Sequence, residues 1–298
     1  MVSERETVAV LGAGGTMGLP MARHIARAGI EVRAWNRSRE KAEPLTQDGI
    51  AVIETAAEAA SGASIVLTIL SEADAVIETM EGSDGALAGS REGAIWLQMS
   101  TIGIEGTERC AALAERHGFV LIDAPVGGTK QPAEQGKLTV LASGPEEARS
   151  RVEPIFEAVG QKTVWLGEAG TGTRMKLVIN SWLLSLVEGL AETIAFAEGV
   201  DIDPAQFLEV ISGGPIDPDY AQLKGKMMID GSFEPAFKLA LAAKDAGLVL
   251  EAARRHDIDL PMLETIKDQL LRAAREHGEE DMAATYLASA PKQPPGRS

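Results

Sequence analysis

In the first half of the chain, short runs with the composition of β-strands alternate with segments that have a helical pattern. The strand-like runs are TVAVL, EVRAW, IAVI, SIVLTI, AIWLQ, FVLID, KLTVLAS and KTVWL. Between them, Thr55 with Glu58 and Ser71 with Asp74 place a side-chain oxygen three residues before a carboxylate, which is typical of the start of a helix. Because strands that alternate with helices form parallel sheets covered by helices, this half of the chain predicts an α/β fold.

From about Gly170 onward the strand patterns stop and only helical patterns continue. A chain of 298 residues is long enough for two domains with buried cores. We therefore predict an α/β domain over residues 1–167 and an all-helical domain over residues 168–298. The terminal segment SAPKQPPGRS is proline-rich and polar, and we expect it to fray.

The most apolar stretch of the chain, Leu177 to Val200, has the length of a membrane span. It also contains Asn180 and the glutamates Glu188, Glu192 and Glu198, each of which would be costly in hydrocarbon. We interpret this stretch as a buried helix, and no membrane partner is expected.

The charge and the rare residue types exclude several classes of function. A formal net charge of -16 repels phosphate backbones, so nucleic acid is not an expected partner. No apolar secretory segment follows the first residues, which favours a cytoplasmic protein. The single cysteine, Cys110, has helical spacing among alanines. It is expected to be an ordinary buried residue on the packed face of a helix. The four histidines lie far apart in the sequence, so no metal site is predicted.

A strand leads directly into glycines and then a helix in the segment VAVLGAGGTMGLPMARHIARAG. Glycines at such a place permit a tight turn and the close approach of a pyrophosphate, which the helix N-terminus attracts. The spacing leaves two assignments open, one on Gly12, Gly14 and Gly18 and the other on Ala13, Gly15 and Gly18. We predict a dinucleotide-binding loop whose cofactor-contacting residues are Gly12, Gly14, Gly15, Thr16 and Met17.

The second strand ends without the acidic residue that would hold a free ribose 2'-hydroxyl. Asn36, Arg37 and Ser38 occupy that place instead, and a guanidinium there suits a 2'-phosphate. The expected cofactor is therefore NADP(H), bound in part by these three residues. The alternative is that Arg37 is a solvated loop residue and that Ser38 caps the following helix.

Five segments occur in the order found in one enzyme family. They are GTMGLPMARHIARAG, STIG at 100–103, DAPVGGTKQPAEQGKLTV at 123–140, GTGTRMKLVIN at 170–180 and FKLALAAKDAGL at 237–248. Over nearly its whole length the chain resembles the β-hydroxyacid dehydrogenases, which include 3-hydroxyisobutyrate dehydrogenase-like enzymes and NADPH-dependent succinic semialdehyde and glyoxylate reductases. The resemblance implies a Rossmann domain of the 6-phosphogluconate dehydrogenase NADP-binding type. It also implies that a long interdomain helix leads to an all-helical domain, in a homodimer or homotetramer.

The most specific part of the resemblance is the pattern of Gly170, Gly172, Lys176 and Asn180. On a helix, Lys176 and Asn180 share one face because they are four residues apart. The resemblance implies that Lys176 is the catalytic acid/base and that Asn180 orients the substrate. It further assigns a cofactor-side role to Leu70, Ser71, Thr101 and Lys244. The alternatives are that Lys176 is a snorkelling lysine at a helix start, that Lys244 is one end of a surface ion pair, and that Ser71 is only a helix cap.

This sequence departs from its relatives after DAPV. The family usually has serine-glycine-glycine there, and that serine helps to hold the substrate carboxylate, whereas this chain has Gly127, Gly128 and Thr129. These three residues are expected to bind substrate through a shifted or weakened carboxylate anchor. The alternative is that Gly127 only relaxes the loop and the same acids still bind.

The sequence therefore predicts an NADP-dependent oxidoreductase for a small hydroxy acid or its aldehyde or keto counterpart. An imine reductase of the same fold is a second hypothesis, although such enzymes usually lack the lysine. A non-catalytic NADP(H)-binding sensor is a third.

Overall fold

The computed structural model describes residues 6–290. Most of the terminal segment that we expected to fray, residues 291–298, lies outside the described residues. The chain divides into two compact units, Met1–Lys176 and Leu177–Ser298. The predicted fold class is confirmed, since the first unit is an α/β domain and the second is helical.

The first unit alternates strands and helices. Within its described part, the strands are β1 (Thr7–Leu11), β2 (Glu31–Trp35), β3 (Ala51–Val52), β4 (Ile65–Thr68), β5 (Ile95–Gln98), β6 (Val120–Asp123), β7 (Val126–Gly127), β8 (Leu138–Ala142) and β9 (Gly160–Trp165). The helices are α1 (Gly18–Arg27), α2 (Ala56–Ala60), α3 (Ala73–Glu81), α4 (Ala86–Gly89), α5 (Gly103–Arg116), α6 (Lys130–Glu134) and α7 (Arg149–Val159). Short 3-10 helices cover Arg39–Lys41, Glu43–Asp48 and Glu146–Ala148.

Six strands form one parallel sheet in the order β3-β2-β1-β4-β5-β6. Side chains of β1 alternate between two cores, with Val8 and Val10 on one face and Ala9 and Leu11 on the other. The strand order reverses between β1 and β4, and ligands of such sheets bind at the carboxyl ends of the strands beside that point. The fold therefore places the residues after β1, β2, β4 and β5 at one edge.

Two details differ from the sequence prediction. KLTVLAS and KTVWL form β8 and β9 of a separate sheet of order β7-β8-β9, in which β7 is antiparallel to β8. We missed β7 because a strand of two residues carries no alternating pattern. The capping box of Thr55 and Glu58 is confirmed, whereas the cap predicted at Ser71 is wrong. There α3 begins at Ala73, and its N-cap residue is Glu72, because the loop after β4 runs on by one residue more than we predicted.

A long helix, α8 (Thr171–Gly199), begins in the first unit and continues in the second, which confirms the predicted interdomain helix. The further helices of the second unit are α9 (Pro204–Ile211), α10 (Asp219–Asp230), α11 (Leu239–Arg255), α12 (Pro261–His277) and α13 (Tyr286–Ser289), with a 3-10 helix at Met282–Thr285. A buried ion pair between Lys224 and Asp281, 2.5 Å long, ties α10 to the start of that 3-10 helix.

By length and composition alone, α8 could cross a membrane, and 44% of its most apolar window is buried. Two of its polar side chains have partners inside the second unit. Asn180 donates to Asp245, and Thr285 donates to Glu188. These contacts support our interpretation of α8 as a helix that belongs to a protein core.

Candidate functional site

The glycine-rich loop between β1 and α1 has no room for side chains at three positions. A Cβ at Gly12, where φ is 98°, would lie 2.2 Å from the Ile69 carbonyl oxygen, and one at Gly18 would lie 2.2 Å from the Gly12 oxygen. A Cβ at Gly14 would lie 2.8 Å from Cγ of Asn36, whereas the nearest atom to one at Gly15 is 3.3 Å away. The steric requirement for glycine therefore falls on Gly12, Gly14 and Gly18.

The glycine loop is fastened to the end of β2. The Trp35 carbonyl accepts from the backbone N–H groups of Gly12 and Ala13, at 2.9 and 3.0 Å. Asn36 Oδ1 accepts from Gly14 N at 3.1 Å, and Asn36 Nδ2 donates to the Ser38 carbonyl at 2.8 Å. Asn36 thus braces the loop, a role that the sequence did not reveal. Thr16 and Met17 complete the loop, and Met17 lies at the N-cap position of α1.

Arg37 is exposed at this edge and forms no ion pair with any residue of the described part of the chain. The nearby Arg39 differs, because it pairs with Glu43 at 2.8 Å and with Glu54 at 3.0 Å. Ser38 lies at the N-cap position of the following 3-10 helix, but its side chain makes no capping hydrogen bond. The Arg37 guanidinium is therefore available to an anion at the edge where the adenosine ribose of a dinucleotide is read.

Buried polar groups join the ends of β4 and β5. Leu70 N donates to Ser100 Oγ at 2.8 Å, while Ser100 N donates to Gln98 Oε1 at 2.7 Å. Gln98 and Ser100 are completely buried, so these bonds fix the backbone just before Thr101 and just before Ser71. Sequence reasoning missed Gln98, although an amide at the end of the apolar run IWLQ was a usable signal.

The end of β7 has room for a side chain at Gly127, where the sequence resemblance implies a serine. Gly127 pairs with Thr139, and a Cβ at Gly127 would lie 3.6 Å from the Thr139 Cβ, which is an ordinary contact. Gly128 has a φ of 122°, and a Cβ there would lie 2.8 Å from a Leu138 methyl carbon. The Thr129 hydroxyl does not cap α6, although Thr129 lies at the N-cap position of that helix.

The start of α8 is anchored by the buried carboxylate of Asp123, the last residue of β6. Thr173 N donates to Asp123 Oδ2 and Thr173 Oγ1 donates to Oδ1, both at 2.8 Å. Gly172 N donates to Ser143 Oγ at 2.9 Å, and Ser143 donates in turn to the Asp123 carbonyl. Burial raises the pKa of Asp123, while these hydrogen bonds act against that shift. A carboxylate at a helix N-terminus also interacts favourably with the helix dipole.

This anchor fixes where Lys176 lies. A Cβ at Gly172 would lie 2.2 Å from the Leu141 carbonyl oxygen, so only glycine lets α8 begin this close to β8. Lys176 follows Gly172 by one helical turn and is partly exposed. Sequence reasoning identified the glycine and the lysine but missed Asp123, Ser143 and Thr173. The signal available for Asp123 was a carboxylate at the end of the apolar strand FVLID.

In the second unit, Asn180 belongs to a buried polar group with two residues of α11. Asn180 Nδ2 donates to Asp245 Oδ2 at 2.8 Å, and Lys244 Nζ lies 2.9 Å from Asp245 Oδ1. Only 1% of Asn180 is exposed, and its Oδ1 atom has no hydrogen-bond partner among the described residues. A buried acceptor without a donor destabilises the fold, and a ligand hydroxyl could supply the missing donor. The ion pair of Lys244 is largely buried, so it is not the surface pair considered as an alternative.

Two family models match the chain, one after the other. Residues 7–167 match the family described as the NAD binding domain of 6-phosphogluconate dehydrogenase. Residues 170–289 match the family described as the NAD-binding domain of NADP-dependent 3-hydroxyisobutyrate dehydrogenase.

Individual relatives cover most of the chain. An uncharacterised oxidoreductase of Bacillus subtilis is 36% identical over 87% of this chain and 91% of its own length. Glyoxylate/succinic semialdehyde reductase 2 of Arabidopsis thaliana is 30% identical over 92% of this chain and 77% of its own. The structure of a Mycobacterium tuberculosis 3-hydroxyisobutyrate dehydrogenase with L-serine superposes with a TM-score of 0.85 at 28% identity, covering 95% of this chain and 99% of that one.

Proposed function

The chain belongs to the β-hydroxyacid dehydrogenase family and is an NAD(P)-binding oxidoreductase, and we propose that it transfers a hydride between NADP(H) and a small hydroxy acid or its aldehyde or keto counterpart. The names of its relatives support small carbonyl substrates, since they include a glyoxylate/succinic semialdehyde reductase and a 2-hydroxy-3-oxopropionate reductase. The proposal places the enzyme in the cytoplasm as a homodimer or homotetramer.

The residues at the edge of the sheet suit a dinucleotide. Gly12, Gly14 and Gly18 leave a space that side chains would fill, and the N-terminus of α1 favours phosphate. We assign Arg37 and Ser38 to the 2'-phosphate of NADP(H), and Leu70, Ser71 and Thr101 to the nicotinamide side. When bound, the cofactor supplies or accepts the hydride at its nicotinamide ring.

Lys176 Nζ is proposed to move the proton. In the reducing direction, the protonated amine stabilises the negative charge that develops on the carbonyl oxygen and then gives that oxygen its proton. In the oxidising direction, the neutral amine takes the hydroxyl proton. Asn180 orients the substrate through its unpartnered Oδ1, which accepts a hydrogen bond from a substrate hydroxyl. Lys244, beside Asp245, is proposed to act on the cofactor side.

The observation that carries this proposal is the anchored start of α8. Enzymes hold catalytic groups on rigid elements because small misplacements are costly in rate. Here a buried carboxylate and a glycine without room for a Cβ fix the turn that precedes Lys176. A lysine on an ordinary surface helix needs no such support, so the anchor argues against the snorkelling alternative.

The test is an NADPH-oxidation screen over small semialdehydes, keto acids and cyclic imines, run with the unmutated protein and with Lys176→Ala. We expect turnover with a carbonyl substrate, lowered roughly 10²- to 10⁴-fold by Lys176→Ala. The dissociation constant for NADPH should change little. Lys176→Arg should not restore turnover, because arginine keeps its proton at working pH.

Three other outcomes would contradict this proposal. Turnover with imines but with no carbonyl compound would identify an imine reductase. Tight NADPH binding without any turnover would favour the sensor hypothesis. Near-normal turnover of Lys176→Ala on the best substrate would show that another group transfers the proton.

A further inference from the structure

An apolar stripe runs along the outer face of α8 in the second unit. Val178, Trp182 and Phe196 are 66%, 67% and 70% exposed, and Val200, just after the helix, is 48% exposed. In the middle of the stripe, a Cβ at Gly189 would meet no atom within 4 Å, so packing within the chain does not require a glycine there. Large exposed apolar side chains aligned on one face of a helix mark an interaction site.

These residues occupy a narrow sector of the helix. At about 100° per residue, Val178, Trp182, Phe196 and Val200 all project within about 20° of the direction of Gly189. Ser185 and Thr193 project within about 40° of it, on opposite sides. Their hydroxyls donate to the carbonyls of the preceding turn, at 2.9 Å for Ser185 and 2.7 Å for Thr193. The centre of the stripe therefore consists of small residues whose hydroxyl groups already have hydrogen-bond partners. This lets the backbone of another helix approach closely.

The order of residues along the stripe is symmetric about Gly189. Ser185 and Thr193 stand four residues on either side, Trp182 and Phe196 seven, and Val178 and Val200 eleven. In an interface with two-fold symmetry, the same patch of both subunits must be complementary to itself. An antiparallel copy of α8 crossing at Gly189 would set Trp182 against Phe196 and Ser185 against Thr193, pairing large with large and small with small.

We propose that this stripe, Val178 to Val200, is the contact through which two copies of the chain pair, with α8 antiparallel to its equivalent and the two-fold axis at Gly189. This pairing does not depend on the proposed function, and it gives a location to the homo-oligomer that the family resemblance implies.

The low charge of the stripe is compatible with a second copy as the occupant. A formal net charge of -16 opposes association of two copies, so they can meet only through a surface that carries few charges. Among the exposed residues from 178 to 200, Glu192 alone is charged, and it projects about 60° from Gly189, at the edge of the stripe. The symmetric order about Gly189 distinguishes a second copy from other occupants, because neither a membrane nor an unrelated partner would require it.

Disulfide trapping in the full-length protein tests the register. At the two-fold axis, Gly189→Cys meets its own copy and should give a covalent dimer on mild oxidation. Thr193→Cys should not cross-link to itself, because its two copies would lie about 12 Å apart, beyond disulfide reach. A mixture of Ser185→Cys and Thr193→Cys proteins should cross-link to each other. The unmutated protein, whose one cysteine, Cys110, is buried, gives the background level of cross-linking.

Charge reversal with light scattering provides the second test. Trp182→Lys and Phe196→Glu should each halve the assembled mass, and the double variant should restore it because the two new charges face each other. Val210→Lys is the matched control, since Val210 is 83% exposed on α9, outside the stripe. Circular dichroism confirms that each variant is folded.

A monomeric unmutated protein at about 10 µM would overturn the proposal. So would self-cross-linking of Thr193→Cys without that of Gly189→Cys, because it would show a different register. Flotation of the unmutated monomer with phosphatidylcholine vesicles would identify a membrane as the occupant instead.

Discussion

At the scale of single residues, the proposed preference for NADP(H) rests on Arg37, an exposed guanidinium that follows β2. We predict that the unmutated protein binds NADPH more tightly than NADH and that Arg37→Ala removes most of the difference. A bidentate arginine–phosphate pair is worth a few kcal/mol, about 1.5 to 3 in a sheltered place. The dissociation constants of both cofactors, measured by fluorescence titration, check this.

Arg39→Ala is the matched control for that experiment. Arg39 is already engaged with Glu43 and Glu54, so its loss should change the preference much less. Equal dissociation constants for NADPH and NADH in the unmutated protein would contradict the assignment of NADP(H).

The second prediction at this scale concerns the missing serine. Gly127→Ser should lower KM for short hydroxy acids by about 10-fold or more, because one charge-assisted hydrogen bond contributes about 1.5 to 3 kcal/mol. The site accepts the change, since a Cβ at Gly127 has an ordinary contact at 3.6 Å. Kinetics on acids and on their uncharged esters separate carboxylate binding from general effects.

Gly128→Ser is the corresponding control, because its φ of 122° and a 2.8 Å approach to Leu138 make a side chain strained there. It should lower stability without improving KM. An unmutated enzyme that already prefers the acids strongly over the esters would show that the carboxylate anchor is intact without the serine.

At the scale of elements, α8 carries a carboxylic acid whose ionisation opposes folding. Burial raises the pKa of Glu188 to about 7, with the Thr285 hydrogen bond and Arg272 acting against the shift and Glu192 adding to it. In the unfolded chain this carboxyl titrates near about 4.3. Between these values the native state binds more protons than the unfolded state, so stability falls as pH rises toward 7.

We therefore predict that Glu188→Gln reduces this pH dependence. Between about pH 4.5 and 7, the unmutated protein should lose at most about 3 kcal/mol through this group, and the variant should lose less. Denaturant unfolding at several pH values measures the difference. Glu209→Gln, at an exposed position on α9, is the control. Parallel pH profiles of the unmutated protein and Glu188→Gln would show that Glu188 ionises normally.

Regular elements were the part of the fold that the sequence predicted well. The strands of the large sheet and the helix α8 each have a residue composition and a hydrophobic period that can be recognised within the segment itself. The small sheet was not separated from the large one, because strand composition does not determine which neighbour a strand pairs with. The start of α3 was displaced because the loop before it is held by Ser100, thirty residues away in sequence.

The same distinction applies to the candidate site. Motifs pointed to Lys176, Asn180 and the glycines because these residues lie in short recognisable segments. The groups that hold them, such as Asp123 for α8 and Asp245 for Asn180, are separated from their partners by 50 and 65 residues. Contacts of that range follow from the fold and leave no local pattern in the sequence.

At the scale of the whole molecule, the first unit includes the start of α8, whereas we predicted a domain that ends at residue 167. A fragment of residues 1–167 would lack Gly172 and Thr173 and leave the buried Asp123 carboxylate without their hydrogen bonds. We expect it to be about 1 to 3 kcal/mol less stable than a fragment of residues 1–176, since a buried polar group that loses its hydrogen-bond partners costs about that much. Thermal and urea unfolding of the two fragments measure this, and equal stability would support the shorter domain.

The helix α8 contains Lys176, the last residue of the first unit, and Asn180, one turn later in the second. Their separation is therefore set by the hydrogen bonds of a single helix and not by the fit of separate elements. Substitutions in loops and on other helices leave that spacing unchanged. During evolution, a lineage can exchange the residues that surround the substrate while it inherits this pair intact. Under the roles proposed for Lys176 and Asn180, a new substrate range is then reachable by descent without loss of the proton transfer.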